Sequence, residues 1–387
     1  MMRAVELFAG AGGLGLGVSQ AGFETTLVAE WNRWCCDTIR ENRSHRKPLA
    51  KWPEPFEGDV RELDYTELEN KVDLVSGGPP CQPFSLGGKH QGQTDQRDMW
   101  PEAVRAVREI RPKAFVFENV KGLTRVSFAG YFNYILLQLS YPSLALNSAE
   151  SWEDHAARLQ RHHTGRPSDS EEYRVVFNVV NAADYGIPQR RERVVFVGYR
   201  ADLRISWSFP RATHGLDALL WSQCATGEYW DRNAVPRRER TMDAKLYARG
   251  MALASKPKET PWRTTRDAIG DLPDPEKHPQ KALAFANHKF QAGARSYPGH
   301  TGSPLDEPAK TLKAGVHGIP GGENMLVRED GSMRYFTVRE SARLQTFPDQ
   351  FVFQGSWTEA MRQLGNAVPV TMAQVIATNI ARGLGSQ

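Results

Sequence analysis

Cys81 stands between prolines in Gly77-Gly78-Pro79-Pro80-Cys81-Gln82-Pro83-Phe84-Ser85, directly after the short apolar run Val72-Asp73-Leu74-Val75-Ser76. A free cysteine is most often a small buried hydrophobe, and Cys35, Cys36 and Cys224 are read that way. Cys81 does not fit, because its neighbours hold the backbone rigid and exposed at the end of a strand. A thiol kept as thiolate there, by nearby cations or a helix terminus, is a nucleophile.

A second cluster precedes it. Gly10-Ala11-Gly12-Gly13-Leu14-Gly15 satisfies the GxGxxG pattern between the apolar run Ala4–Phe8 and a helical segment. Glycines let backbone approach a ligand closely, and a helix N-terminus offers N–H donors. Glu30 lies twenty residues beyond Gly10, where a carboxylate accepts from ribose hydroxyls. Trp31 beside it is a candidate to stack on an adenine ring, and Asp59, between Gly58 and Val60, to meet an adenine amino group. These residues suit a nicotinamide dehydrogenase and an S-adenosylmethionine (AdoMet) enzyme equally. Without a ligand the same residues make only a tight turn.

The cysteine loop resembles that of the DNA (cytosine-5) methyltransferases, as found in bacterial restriction-modification systems. Four further stretches match that family's signatures in its usual order: Phe8-Ala9-Gly10-Ala11-Gly12-Gly13, Glu118-Asn119-Val120, Gln189-Arg190-Arg191-Glu192-Arg193 and Gln363-Leu364-Gly365-Asn366-Ala367-Val368. The resemblance covers residues 1 to about 200 and 336 to 387. A nicotinamide enzyme accounts for the glycine turn alone.

The resemblance implies a definite chemistry. Carbon 5 of cytosine is a poor nucleophile, and addition of the Cys81 thiolate at carbon 6 turns it into an enamine carbon. Glu118 then shares a proton with N3, which calls for partial burial of its carboxyl. Asn119 orients the loop or the exocyclic amine. Arg193, with Arg191 as a second candidate, donates to the cytosine O2 and helps keep the thiolate; either could instead form a surface salt bridge with Glu192. Loss of the carbon 5 proton and elimination of Cys81 finish the reaction, and with no residue standing out as the base, water is the candidate. The implied cofactor is AdoMet, released as S-adenosylhomocysteine, against Phe8, Ala9, Gly10, Gly12, Gly13, Leu14, Glu30, Trp31, Asp59, Val60, Pro80, Asn366 and Ala367. No metal is expected.

A base stacked in a duplex cannot react in this way, so the cytosine must swing out into the pocket. The stretch from Ser85 to Arg97 is suited to closing over DNA, with Gly87 and Gly88 as hinges and Lys89 and Arg97 for phosphates. The family places its target-recognition domain in the variable region, here 200–335, and Pro308-Ala309-Lys310-Thr311-Leu312-Lys313 looks like its short Thr-Leu element. Arg295, His300, Lys310, Thr311, Lys313 and His317 are the candidates for DNA contact there. The implied partners are double-stranded DNA and a cognate restriction endonuclease, for a monomer in the cytoplasm at the nucleoid. The rivals are an RNA cytosine-5 methyltransferase of the same fold and a catalytically inactive DNA-binding relative.

The elements that must position these groups alternate along the chain. Apolar runs at 4–8, 25–29, 72–76 and 114–117 each end in one of the polar clusters, and helical spacing separates them, as in Met99 to Ile110. Such alternation predicts a parallel sheet covered on both faces, with ligands at the C-terminal ends of its strands. The runs Arg174–Val180 and Val194–Gly198 complete it, giving an α/β, Rossmann-like methyltransferase sheet. The rhythm lapses from about 199 to 335 and returns at Val338, with a last helix around Met372 to Ala381. The expected division is a catalytic domain at 1–199, an inserted loop-rich domain at 200–335 and a return to the first at 336–387. The polar stretch 148–172 is expected to be an exposed insertion, and the basic run Arg232–Arg266 a solvated loop.

Composition sets the outer bounds. With 387 residues, 40% hydrophobic and 24% charged, the chain can bury a sizeable core. The net charge of +4 permits nucleic acid without arguing for it. No apolar run is long enough to span a membrane, and an acidic residue at Glu6 comes too early for a secretory signal. Four cysteines without CxxC spacing point to neither disulfides nor zinc, and a reducing setting is the simplest reading.

Overall fold

The apolar runs of the first 200 residues assemble into one seven-stranded sheet in the computed structural model, which describes residues 1–44, 46–80, 98–165, 172–295, 301–315 and 324–385. The elements in chain order are β1 (Met2–Leu7), α1 (Gly13–Gln20), β2 (Phe23–Glu30), α2 (Arg33–Asn42), β3 (Phe56–Glu57), β4 (Leu74–Gly77), α3 (Trp100–Ile110), β5 (Ala114–Val120), α4 (Ala129–Ser140), α5 (Trp152–Thr164), β6 (Tyr173–Asn181) and β7 (Glu192–Arg200). The strand order is β3-β2-β1-β4-β5-β7-β6.

The first five strands pair in parallel, but β7 runs antiparallel to both β5 and β6. This corrects the expectation of a wholly parallel sheet. Only the segment 182–191 links β6 to β7, and it holds a single 3-10 turn, Ala182–Tyr185. A parallel pair needs a crossover of a dozen or more residues. The reversal matters for position: Arg193 pairs with Val120 and Val195 with Glu118, so the start of β7 lies at the edge where β1, β2, β4 and β5 end.

Alternation along the strands divides the core in two. Phe115, Phe117 and Phe196 face α3 and α4, where fully buried Trp100 meets Phe117 and Phe196 edge-on. Val116, Val195 and Val197 face the other way, against Met372, Ile376 and Ile380. Those last three lie on the long final helix, which also packs on α1. A Cβ at Gly17 of α1 would lie 2.5 Å from both the Ala373 Cβ and the Val370 carbonyl, so only glycine allows that contact.

The stretch 148–172 departs from expectation. Residues 152–164 form α5, with Ser151 accepting the Asp154 N–H as N-cap. Leu159 is fully buried, and His155 is buried with its ring nitrogens on Tyr134 Oη and the Leu144 carbonyl.

Beyond β7 come β8 (His214–Gly215), α6 (Leu216–Leu220), α7 (Glu228–Arg232), α8 (Ala244–Met251), β9 (Thr260–Pro261), α9 (Thr265–Ile269), α10 (Pro279–Ala282), β10 (Met325–Val327), β11 (Met333–Tyr335), α11 (Val338–Leu344), α12 (Trp357–Asn366) and α13 (Val370–Gly385). Two small apolar clusters support this region, one around Leu219, Tyr229, Trp230 and Val235, the other joining Ile269, Leu312, Leu326 and Phe336 to Leu344 of α11. Much of the basic run is neutralised locally: Arg232 pairs with Asp267, Arg240 with Asp231, Arg249 with Asp217, and Arg266 with Asp306 and Glu329. Among the described residues no helix is long and apolar enough to cross a membrane.

One carboxyl braces the glycine turn from below. Glu6 of β1 is buried, with its side chain on the Ser76 hydroxyl of β4 and the Gly15 N–H of α1. Burial pushes its pKa from the ordinary 4.5 to about 8, against the pull of those two hydrogen bonds. The stability tied to the protonated form is therefore fully present below 4.5 and is lost as pH rises to about 8. The slope is about 1.4 kcal/mol per pH unit. Glu6→Gln, a neutral isostere, is expected to remove that decline in denaturant titrations run from about pH 5 to about 8. An equally steep decline in the variant would assign it to other groups.

Candidate active site

β1 leads into a turn of unusual backbone. Phe8 has φ 54°, Gly10 55° and Gly12 86°. The left-handed region is sterically costly for a bulky residue such as Phe8, and such strain gathers at functional sites. The turn is held from β2: the Gly10 N–H donates to Glu30 Oε2 at 2.7 Å, while the Trp31 and Asn32 N–H groups donate to Oε1 at 3.0 and 2.8 Å. A carboxylate has about four acceptor directions, so roughly one is left for a hydroxyl. Burial pushes the Glu30 carboxyl above its ordinary pKa, opposed by these three N–H groups.

The glycines do different work. Apart from its own two chain neighbours, no described residue comes within 4 Å of where a Cβ on Gly10 would stand, so a ligand can rest directly on the backbone there. At Gly12 a Cβ would stand 3.1 Å from the Trp52 ring. At Gly13 a Cβ would come within 2.4 Å of the Val368 carbonyl, so this glycine lets the segment after α12 lie against the turn. Asn366, exposed at the end of α12, and buried Ala367 thereby reach the same edge.

Ala9, Leu14 and Val60 are buried around the turn, whereas Trp31 is 72% exposed. Asp59 follows Gly58, whose N–H donates to the Glu30 carbonyl at 3.1 Å. Its own carboxylate accepts the Arg61 N–H at 3.0 Å and pairs with the Arg61 guanidinium.

The second half of the site lies at the ends of β4, β5 and β7. Glu118 is 8% exposed, and its Oε1 lies 2.7 Å from Arg193 Nε. The pair is close without a well-aligned hydrogen bond, since Oε1 accepts none. Glu118 Oε2 stands 3.5 Å from the Cβ position of Gly78, so the carboxylate faces the strand end that leads to Cys81. Asn119 ties that strand end down, donating from Nδ2 to the Pro79 carbonyl at 2.9 Å, and the Pro80 carbonyl accepts the Met99 N–H at 3.4 Å. Burial pushes the Arg193 guanidinium below its ordinary pKa, opposed by Glu118. Glu192 takes no part in this: it projects from the other side of β7, and both its oxygens sit 2.9 Å from Lys121 Nζ.

Arg191 is a correction. The resemblance made it a second donor to the cytosine, but it is fully buried, with Nη1 on the Leu312 carbonyl at 3.1 Å and Nη2 on the Gly365 carbonyl at 2.8 Å. Thr311 is similarly committed, its hydroxyl donating to the Arg190 carbonyl at 2.6 Å, and Lys310 Nζ donates to Thr301 Oγ1 at 2.6 Å. Lys313 and Arg295 are exposed. Cys81, Ser85, Lys89, Arg97, His300 and His317 lie outside the described residues.

Sequence reasoning missed Glu6 and Trp52, and gave no role to Gln189, whose Oε1 accepts the Leu312 N–H at 3.0 Å. Glu6 left a signal: a carboxylate inside the apolar run Ala4–Phe8 must be buried and partnered. Trp52 left none, and Gln189 stood out only as the first residue of its signature stretch.

The C-5 cytosine-specific DNA methylase family model matches residues 2–141 and 166–382. The type II methyltransferase M.PspPI of Psychrobacter sp. (strain TA137) is 33% identical over 390 residues, covering 99% of this chain and 79% of its own. M.Eco47II of Escherichia coli is 31% identical over 383 residues, covering 97% and 78%. Among solved structures, an E. coli prophage protein described as a DNA modification methyltransferase superposes over 100% of both chains with a TM-score of 0.61 at 20% identity. S. pombe Dnmt2 gives 0.57 at 16% identity, over 100% of this chain and 99% of its own; at such identities the likeness is one of fold. The chain belongs to the C-5 cytosine-specific DNA methylases and is a site-specific DNA cytosine-5 methyltransferase of the bacterial restriction-modification type.

Proposed function

We propose that Cys81, Glu118 and Arg193 carry the reaction on a cytosine swung out of double-stranded DNA. The observation that carries this reading is the buried Glu118–Arg193 pair, 2.7 Å apart, beside the Gly78-Pro79-Pro80 strand end that leads to Cys81. The Cys81 thiolate adds to carbon 6, and charge would otherwise build in the ring at N3. Glu118 holds a proton for that position, and Arg193 donates to O2 from the same side. Asn119, by holding the Pro79 carbonyl, sets the direction from which the loop arrives. The carbon 5 proton leaves to water and Cys81 is expelled, which restores the aromatic ring and returns the enzyme.

AdoMet supplies the methyl group as an electrophilic sulfonium and leaves as S-adenosylhomocysteine. Phe8, Ala9, Gly10, Gly12, Gly13, Leu14, Glu30, Trp31, Asp59, Val60, Pro80, Asn366 and Ala367 are the residues assigned to hold it. The open face over Gly10 and the one acceptor direction left on Glu30 fit a nucleoside there. Residues 200–335 are assigned to reading the DNA, Lys310, Lys313 and Arg295 gripping phosphates, which position without specifying, and 336–387 return to the catalytic body. The relatives' type II names support a cognate endonuclease acting on the same site, and action on DNA assigns the protein to the cytoplasm at the nucleoid.

Cys81→Ala is expected to reduce methyl transfer from labelled AdoMet to DNA below detection while AdoMet binding by calorimetry stays within about twofold; near-normal turnover would overturn the mechanism. Glu30→Ala should act on the cofactor instead, raising the KM for AdoMet by about ten- to a hundredfold, the worth of a charge-assisted hydrogen bond. An unchanged KM would remove Glu30 from the cofactor site.

A further inference from the structure

Arg191 is a fully buried guanidinium that takes part in no ion pair among the described residues. Its Nε has no hydrogen-bond partner there either. Burial pushes its pKa well down, Arg193 pushes it further, and Glu118 only partly opposes them. A charge withdrawn from water without a counterion is destabilising, and an apolar residue of similar volume would serve packing better. What the guanidinium does that an apolar side chain cannot is hold two carbonyls from two separate segments at once, Leu312 at 3.1 Å and Gly365 at 2.8 Å.

Both segments bear on the reaction. The strip 309–312 is laced to the start of β7: the Ala309 N–H donates to the Pro188 carbonyl, the Arg190 N–H to the Ala309 carbonyl, the Leu312 N–H to Gln189 Oε1, and the Thr311 hydroxyl to the Arg190 carbonyl. Gly365 lets the strip lie against α12, since a Cβ there would come within 2.2 Å of the Ala314 N atom. Directly beyond Gly365 are Asn366 and Ala367, pressed toward the glycine turn through the Val368–Gly13 approach. Two residues beyond Arg191, in β7, stands Arg193, on Glu118.

We propose that Arg191 is a positioning residue that couples the strip Pro308–Ala314 to the cofactor wall Gly365–Ala367, so that engaging the right DNA sequence and binding the cofactor strengthen each other. The proposal rests on the reading that the first segment contacts DNA and the second AdoMet. Because coupling between sites is reciprocal, it is measured from either side. Lysine at this position keeps a charge but not the planar fork that spans two carbonyls. Methionine removes the charge and keeps most of the bulk, so it separates loss of the two carbonyl bonds from burial of a cation without a partner.

The test is calorimetric titration of S-adenosylhomocysteine into wild type, Arg191→Lys and Arg191→Met, alone, with a duplex carrying the methylated site, and with a duplex altered by one base pair. In the wild type the cognate duplex should tighten the analogue by about fivefold or more, a usual size for such coupling, and the altered duplex should not. In both variants the analogue alone should bind within about threefold of wild type, while the tightening falls to near one. Undiminished tightening in Arg191→Met overturns the proposal, as does loss of analogue binding without DNA in both variants, which would make Arg191 part of the cofactor wall alone. Wild-type protein that binds both ligands with no mutual effect overturns the coupling and leaves the methyl-transfer reading in place. Wild-type protein that binds no analogue overturns both.

Discussion

A carboxyl and a guanidinium held out of water where two antiparallel strands meet the sheet edge set the terms for the rest of this structure. Glu118 and Arg193 lie 2.7 Å apart, with their side chains 10% and 12% exposed. Neither is tolerable there alone: removing one partner of a buried pair typically costs about 3–5 kcal/mol. The pair exists because β7 enters the sheet reversed, which brings its first residues rather than its last to the edge where β5 ends. A parallel β7 would have carried Arg193 to the opposite edge, away from Glu118. The exchange of one crossover helix for a short turn thus decides whether Arg193 meets Glu118.

Around this pair the sheet edge is assembled by close approaches that leave little room for side chains. Gly13 admits the Val368 carbonyl, Gly17 admits α13, and Gly365 admits Ala314. Each lets a distant part of the chain lean on the edge, and together they draw the segments after β7 back onto the strands before it. Glu30 and Glu6 then hold the glycine turn from the side and from below, each through backbone N–H groups whose positions the turn itself fixes. The strain at Phe8 sits at the centre of this bracing, where surrounding contacts can hold it.

Much of this was legible in the sequence wherever local pattern and chemistry coincide. The glycine turn, Glu30 at its offset, and the strands ending at Glu118 and at Gly77 follow from short apolar runs meeting unusual polar residues. The direction of β7 was not legible, because the run Val194–Gly198 reads the same whichever way it pairs. The role of Arg191 was hidden too, since its two carbonyl partners lie more than a hundred residues away and carry no side-chain signal. Helix α5 was obscured by its polar composition, although Ser151 three residues before Asp154, with Trp152 and Leu159 on one side, marks a capped helix. His155 there is a satisfied core residue, bonded at both ring nitrogens.

The central claim is that this chain places a methyl group on carbon 5 of cytosine within one DNA sequence. Base-resolution mapping of 5-methylcytosine on plasmid DNA from cells expressing the protein, in a host without cytosine methylation, tests it most directly. The account predicts near-complete modification of one cytosine in a single short sequence and background levels elsewhere. Absence of 5-methylcytosine from the plasmid, with the protein present and folded in the same cells, would contradict it.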